Sequence, residues 1–254
     1  MHSFIKSILL LSLFIFQSGS LISKAVDIES NSSVRGDYFN GSGHHLGSDD
    51  VDDGKIYIAK SLKSIAIKRA LRDKTEAGIV FARNNSFEIP DALVFNECLD
   101  VLHRARGNGG FREEVSLVLG NKKIVRGKTG PPPRFTDEGF IAETSIPAIP
   151  KRDFNEKVLA LIHSHPLRIN VRGSRAYFHS ALELSKKDIM AFNNFKVNIV
   201  VGPLGKASFD PISGEIVPKP LGIVIYYGNS DSKVHLTFHS MRKIIATLDE
   251  KGSP

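Results

Sequence analysis

The sequence predicts an α/β fold, a single domain in which one mixed β-sheet is flanked by helices. Between residues 55 and 249, short β-rich apolar runs alternate with segments whose apolar residues recur at helical spacing. The alternation lacks the regular rhythm of a doubly wound parallel sheet. The chain has 254 residues and 41% hydrophobic composition, which suffices for one core.

Residues 1–25 have the three-part layout of a secretory signal peptide. Lys6 precedes an apolar run over residues 7–16, and small or polar residues follow up to Ala25. A run of about ten residues is too short to cross a bilayer of about 30 Å as a helix. We therefore expect a secreted or periplasmic protein with no stable membrane anchor after cleavage. The alternative is an uncleaved N-terminal anchor.

The net charge does not indicate a nucleic-acid partner. Removing residues 1–25 takes away two lysines and no acid, so the formal charge falls from +7 to +5. Aromatic residues do not alternate with basic ones as they do on single-strand binding surfaces. No nucleic acid is expected as a partner.

Residues 26–54 are rich in Ser, Asn, Gly and Asp, which predicts a flexible linker before the domain at 55–249. Within the domain, Cys98 lies in an apolar helical pattern and is expected to be a buried small hydrophobe. The acids and histidine of the same helix, Glu97, Asp100 and His103, are expected on a solvated face.

The first half of the domain mixes both element types. Apolar spacing or β-rich composition predicts, in order, a helix over 56–72, a strand over 76–82, a helix over 94–105, a hairpin of 115–119 with 123–126, and a strand over 139–145. The hairpin turns at Gly120-Asn121, and three prolines at 131–133 indicate a loop.

The second half begins with a continuous apolar run over 157–163, which is typical of a central strand. An irregular segment is expected over 167–184. The remaining predicted elements are a helix over 185–194, strands over 197–201, 222–227 and 233–238, and a last helix over 239–249.

Two histidines end the apolar run, in the sequence His163-Ser164-His165-Pro166. Residues i and i+2 of a strand point to one face, with their Cα atoms about 6–7 Å apart, so both rings can reach one metal. Pro166 ends the strand and opens the pair to a substrate. The alternative is a pair of polar residues at a strand end.

A second motif, Ser185-Lys186-Lys187-Asp188, resembles a helix capping box. Asp188 would then lie in the first helical turn, where a negative charge is favourable. This reading explains the motif without a metal. It is also compatible with Asp188 as a ligand, because a first-turn side chain is well held.

Together these motifs resemble the JAMM (JAB/MPN) metallopeptidase pattern of Glu, then His-x-His-Pro, then Ser-x-x-Asp. The strand predicted at Glu76-Ala77-Gly78-Ile79-Val80 supplies the glutamate. The pattern is similar to that of bacterial JAB-like domains, some of which occur in secreted or toxin-associated proteins. The resemblance implies a JAB/MPN-like (cytidine-deaminase-like) fold.

The resemblance also implies roles for these residues. His163, His165 and Asp188 would bind Zn²⁺, Glu76 would be the general base, and the Ser185 hydroxyl would donate to the developing oxyanion. The expected function is an exported zinc-dependent hydrolase that cleaves peptide or isopeptide bonds in a protein or peptide substrate. The alternatives are a non-catalytic JAB/MPN-like scaffold and a secreted effector.

One feature departs from the pattern: residues 167–184, between His-Pro and Ser-x-x-Asp, form a longer segment than the family has. We expect either a lid or substrate-binding loop, or a segment that blocks the site. His179, within it, is an alternative ligand.

Overall fold

The computed structural model describes residues 36–136, 139–172, 175–210, 212–228 and 233–252. The signal peptide predicted at residues 1–25 lies outside the described residues. Sixteen strands occur in the described ranges: β1 (Asp37–Phe39), β2 (His45–Ser48), β3 (Ile56–Ala59), β4 (Ser86–Ile89), β5 (Val115–Leu119), β6 (Ile124–Arg126), β7 (Arg134–Thr136), β8 (Gly139–Ile141), β9 (Val158–Ser164), β10 (Asn170–Arg172), β11 (Arg175–Tyr177), β12 (Val197–Pro203), β13 (Ser208–Phe209), β14 (Ile216–Val217), β15 (Leu221–Tyr227) and β16 (Lys233–Thr237). The same ranges contain the helices α1 (Ser64–Arg72), α2 (Glu76–Asn84), α3 (Leu93–Gly107), α4 (Lys186–Phe192) and α5 (Phe238–Gly252).

A six-stranded sheet forms the centre of the molecule, in the order β16-β15-β12-β9-β5-β6. β9 and β12 run parallel, and the other neighbouring strands are antiparallel. The prediction of a mixed α/β architecture is therefore confirmed, as is the central position of the apolar strand at 157–163. Helix α3 and the hairpin of β5 with β6 also lie where the sequence predicts them.

The two faces of this sheet bury different side chains, because successive residues of a strand alternate in direction. On β9, Ala160 and Ile162 point toward α3 and α5, and this core also contains Cys98. Leu161 points to the opposite face, where it packs with Phe192 of α4. His163 and His165 have the same parity as Leu161 and therefore belong to the α4 face.

A second sheet, in the order β2-β1-β3-β4, precedes the central one in the chain. Its inner face joins the core of α3 and α5 through side chains such as Phe39 and Ile58. Its outer face is covered by α1 and α2. The sequence predicts one sheet, whereas the described residues also contain this second sheet and three two-stranded ribbons.

The prediction of a flexible linker over residues 26–54 is wrong from residue 36 onward. Residues 37–48 contain β1 and β2, and Tyr38 and Phe39 are fully buried. The glycines that suggested flexibility allow tight turns. Gly43 has φ +77°, and a Cβ there would lie 2.4 Å from the carbonyl oxygen of Ser240. The folded region therefore begins well before the predicted boundary at residue 55.

Two neighbouring predictions also fail. Residues 56–59 form strand β3, and the predicted helix begins only at Ser64. Residues 76–82, predicted as a strand, belong to helix α2. The Thr75 side chain caps this helix by accepting a hydrogen bond from the Gly78 amide, and Glu76 lies in its first turn. Of the helices in the described ranges, none combines the length and apolar character needed to span a bilayer.

Candidate metal centre

The two histidines lie at the end of β9, between its neighbours β5 and β12. The His165 amide still donates to the Val201 carbonyl at 2.9 Å, after which Pro166 ends the pairing. The ring centroids of His163 and His165 are 5.2 Å apart, and both residues are about 5% exposed. The sequence prediction that these rings share one face agrees with this geometry.

Asp188 reaches the histidines from the first turn of α4. Its Oδ1 lies 3.2 Å from His163 Nε2, and its Oδ2 lies 3.4 Å from His165 Nε2. The predicted capping box is present as well: the Asp188 amide donates to Ser185 Oγ, and the Ser185 amide donates to Asp188 Oδ2. Asp188 therefore caps the helix and faces the histidines at the same time. Its Oδ2 accepts the capping hydrogen bond, while its Oδ1 lies toward His163.

The hydrogen bonds of the histidines indicate which nitrogen faces the cluster. His165 Nδ1 lies 2.9 Å from the Ser180 carbonyl, which can only accept, so Nδ1 carries the proton. In the neutral ring, Nε2 then presents a lone pair toward Asp188. His163 Nε2 is buried and makes no hydrogen bond that satisfies it. An unsatisfied ring nitrogen, a second ring nitrogen and a carboxylate thus face one another, an arrangement that a cation would stabilise.

The spacing of these atoms suits a tetrahedral ion. Bonds of about 2.0–2.1 Å to zinc place two tetrahedral ligands about 3.4 Å apart. The two histidine–carboxylate distances are close to that separation, and the three ligand atoms all lie within 4.8 Å of one another. Two imidazoles and a carboxylate are also a donor set that zinc accepts.

Charge in the cluster favours an ionised Asp188. Burial alone would raise the pKa of this carboxyl, but the imidazoles of His163 and His165 outweigh burial and hold the pKa well below its usual range. The carboxylate is therefore available as a ligand at all physiological pH values.

Glu113 is a functional candidate that the sequence analysis missed. It precedes β5, in which Val115 pairs with His163, and continuing this antiparallel register places Glu113 opposite His165. Its side chain is buried, and burial raises its pKa to about 7, with smaller effects from His165, which lowers it, and Asp188, which raises it. A carboxyl group with this pKa can accept and release a proton near neutral pH.

Glu76, the predicted general base, lies elsewhere. It is an exposed residue at the start of α2, a helix that packs against α1 and β4 on the outer side of the second sheet. It does not line the cleft at the histidines.

The sequence does contain one signal for Glu113. This residue stands two positions before the run VSLVL, which the sequence predicts as a strand.

The cluster opens into a cleft of about 310 Å³. Glu113, His163, His165 and Asp188 line it, together with the exposed Ser185. Residues 140–146 form the opposite wall and are joined to α4 by a 2.7 Å ion pair between Glu143 and Lys187. The volume is within the range of small-ligand pockets, so the long segment 167–184 does not fill the site.

His179 forms part of the cleft wall instead of joining the three ligands. Its Nε2 donates to the Phe140 carbonyl at 3.1 Å, and its ring centroid lies 6.0 Å from that of His165. Burial, followed by the neighbouring His165, lowers its pKa and keeps the ring neutral. Because Nε2 donates to the carbonyl of the cleft wall, the lone pair of the neutral ring is on Nδ1.

A polar network on the other face of the sheet fixes the two strands that carry the site. Ser164 and Glu114 exchange hydrogen bonds across β9 and β5, between the positions of the histidines and Glu113. The buried Glu114 carboxylate accepts from Arg104, Asn108 and Thr129. Strand register at the site is therefore held by several charge-assisted hydrogen bonds.

Glu97 belongs to the same network, although the sequence analysis expected it on a solvated helix face. It is 1% exposed and accepts from Arg104, Arg126 and Ser116. Its burial is possible because two guanidinium groups compensate its charge. Cys98 is buried, as predicted.

Comparison with known proteins adds no assignment to this geometry. No family model matches the chain, and neither a curated protein nor a solved structure gives a significant match.

Proposed function

We propose that this protein is a zinc-dependent hydrolase of peptide or isopeptide bonds. The observation that carries the proposal is the convergence of His163, His165 and Asp188 in a cleft, with the buried carboxyl of Glu113 just before the adjacent strand β5. The arrangement resembles the JAMM (JAB/MPN) pattern, with Glu113 in the position first expected for Glu76.

His163 Nε2, His165 Nε2 and Asp188 Oδ1 are the atoms that would hold the ion. Zinc bound there would supply a Lewis acid that polarises the scissile carbonyl and activates water at neutral pH. Three protein ligands leave a coordination position open, as in catalytic rather than structural zinc sites.

Glu113 would move the proton. Ionised, it accepts a proton from the attacking water; protonated, it donates to the leaving amine. A pKa of about 7 suits both steps. Bound zinc would lower this value, because a nearby cation favours the carboxylate.

Ser185 would stabilise the developing oxyanion. Its Oγ already accepts from the Asp188 amide at 3.1 Å, so its hydrogen is free to point into the cleft that it lines. Its position is fixed by the cap of α4, which also fixes Asp188. One short motif therefore orients both a ligand and an oxyanion donor.

The test uses the matched pair Glu113→Gln and Glu76→Gln. We expect the purified chain to bind about one equivalent of zinc and to cleave members of a proteome-derived peptide library, with products read by mass spectrometry. Glu113→Gln should bind zinc but lose at least about 100-fold in rate. Glu76→Gln should keep full activity.

Two outcomes contradict this proposal. Cleavage by Glu113→Gln at the parent rate would remove Glu113 from the reaction. Less than about half an equivalent of zinc, not restored by added zinc, would favour the non-catalytic JAB/MPN-like scaffold.

Export to the periplasm or the medium is part of the proposal and is based on the pattern of residues 1–25. Fractionation of cells that express the chain with and without these residues tests it. Retention of the intact protein in the cytoplasm would count against export.

A further inference from the structure

A second cavity, of about 270 Å³, adjoins the cleft and shares His179 with it. One wall comes from the first half of the long segment, residues 166–169, together with Phe178. The other wall comes from the end of β12 to the start of β15, and its lining residues are Pro203, Gly205, Ala207, Pro218, Lys219 and Leu221. The segment that departs from the family pattern therefore builds one wall of this cavity.

The interior of the second cavity is apolar. Leu167, Ile169, Phe178, Ala207 and Leu221 line it, and all are partly buried. A pocket of this size and composition accommodates one large aliphatic or aromatic side chain and removes its surface from water.

Two cations, Arg168 and Lys219, complete the lining, and no Asp or Glu is among the residues that form it. Neither cation makes an ion pair within the described ranges. Lys219 Nζ contacts Ser208 Oγ at 3.4 Å, and the Arg168 guanidinium lies 6.0 Å from the Phe111 ring centroid. Both charges are therefore available to a carboxylate that arrives with a ligand.

The two cavities are near enough for one peptide chain to reach both. The His179 ring lines both of them, and its centroid is 6.0 Å from that of His165. An extended chain advances about 3.3–3.6 Å per residue. A substrate with its scissile bond at the cluster can therefore present a residue within about three positions of that bond to the second cavity.

We propose that the second cavity is a specificity subsite for an apolar side chain that has a carboxylate beside it. The carboxylate is either the substrate's C-terminus or the side chain of an adjacent acidic residue. The inference rests on the proposed hydrolase function, and it names the substrate feature which that hydrolase selects.

Binding is tested without catalysis, by NMR titration of zinc-free protein with N-acetylphenylalanine. We expect saturable shifts at the amides of Ile169, Ala207 and Leu221, and about fivefold weaker binding of the neutral N-acetylphenylalanine amide. An internal-acid probe, N-acetyl-Phe-Asp-amide, distinguishes the two sources of the carboxylate. Shifts confined to residues 140–146 and α4, or equal affinity for acid and amide, would overturn the subsite.

Variants separate charge from volume. The double variant Arg168→Glu with Lys219→Glu should abolish the preference for the acid over the amide, whereas the exposed control Lys157→Glu should keep it. Ala207→Phe should fill the cavity and remove binding of both probes. Melting curves of each variant check that it folds, and the single substitutions serve if the double one does not.

Cleavage profiles of the peptide library then connect the subsite to the reaction. We expect large apolar residues at one fixed position within three residues of the cut, with a carboxylate next to them, and loss of the carboxylate preference in the charge-reversal variant. Cleavage without either preference overturns the subsite and leaves the hydrolase. Probe binding without any cleavage supports the cavity's chemistry and contradicts the hydrolase.

Discussion

At the scale of single residues, the site is made of polar groups that the fold buries against their preference. Glu113 is buried on the face that also carries the histidines, and no Arg or Lys among the described residues forms an ion pair with it as Arg104 does with Glu114. Such a group weakens the metal-free fold when it ionises. Its retention beside the cluster is understandable if its proton is used in a reaction.

This burial predicts a pH-dependent gain in stability for Glu113→Gln in zinc-free protein. The folded pKa of about 7 exceeds the ordinary value of 4.5, so stability is fully present below pH 4.5 and falls until pH passes 7. Gln avoids this loss, and its advantage should grow to about 1–3 kcal/mol at pH 8. Urea unfolding at pH 4.5 and pH 8 measures it, and an advantage equal at both values would contradict the assignment.

The ligand set predicts stabilisation by zinc. Added zinc should raise the free energy of unfolding by about 2.7 kcal/mol at 100 times its dissociation constant. His163→Ala should remove most of this effect, while the exposed His103→Ala should retain it. Thermal unfolding with and without zinc compares the variants, and equal stabilisation of His163→Ala would place the ion elsewhere.

At the scale of elements, the start of helix α4 both stabilises the helix and positions two side chains of the candidate site. The capping box that starts the helix also fixes Asp188 and Ser185 at the cleft. The β5–β9 register does the same for Glu113 and the histidines. Each pair is positioned by an interaction that also stabilises the element.

Because Ser185 both caps α4 and lines the cleft, we expect Ser185→Ala to change stability and reaction rate by two separate mechanisms. Loss of the cap should destabilise the protein by about 1 kcal/mol. Loss of the hydroxyl should lower kcat by about 100-fold with little change in KM, because the oxyanion develops only in the transition state. Ser185→Thr keeps both groups and should recover most of the rate; a kcat of Ser185→Ala equal to the parent's would exclude the oxyanion role.

The elements that the sequence predicts well are those whose pattern is long or strongly periodic. Strand β9 and helix α3 belong to this class. Residues 76–82 form a short apolar run that suits a strand or a buried helix equally, and the cap at Thr75 decides for the helix. The pair of strands at 37–48 depends on pairing of β1 with β3, a contact that local composition does not encode.

The candidate site likewise contains residues whose positions the sequence predicts and one whose position it does not. Strand alternation predicts that His163 and His165 converge, and the capping motif predicts the position of Asp188. Glu113 comes from a strand far away in sequence, so its position depends on the order and register of strands, which motif spacing does not supply.

At the scale of the whole molecule, helix α5 contacts strand β1, although the two elements lie far apart in the sequence. Lys251 of α5 donates to the Asp37 carboxylate, which also contacts His45 Nε2 at 2.7 Å. Burial would raise the pKa of Asp37, but His45 and Lys251 outweigh it and lower the pKa below its ordinary value. This cluster joins the second sheet to α5 and through it to the central core.

Removing the amine should therefore weaken the fold as a whole. We expect Lys251→Met to lower the free energy of unfolding by about 1–3 kcal/mol at neutral pH, because a buried carboxylate loses a charged partner. The matched substitution Lys243→Met, on the same helix, should change it little. The lowered pKa of Asp37 stabilises the fold above about pH 3.8, and this contribution fades as pH falls. The difference in free energy of unfolding between Lys251→Met and the parent should therefore shrink in acid. A difference that persists unchanged at pH 2 would contradict the ion pair.

The long segment between His165 and Asp188 has both of its ends at the cluster. An ion bound to the two residues would close this stretch into a ring, much as a reversible crosslink does, and would remove conformational freedom from it. Because the same stretch supplies a wall of the second cavity, metal occupancy and order in that wall should rise and fall together. Chelation would then loosen a wall of the proposed subsite at the same time as it removes the ion from the proposed reaction centre.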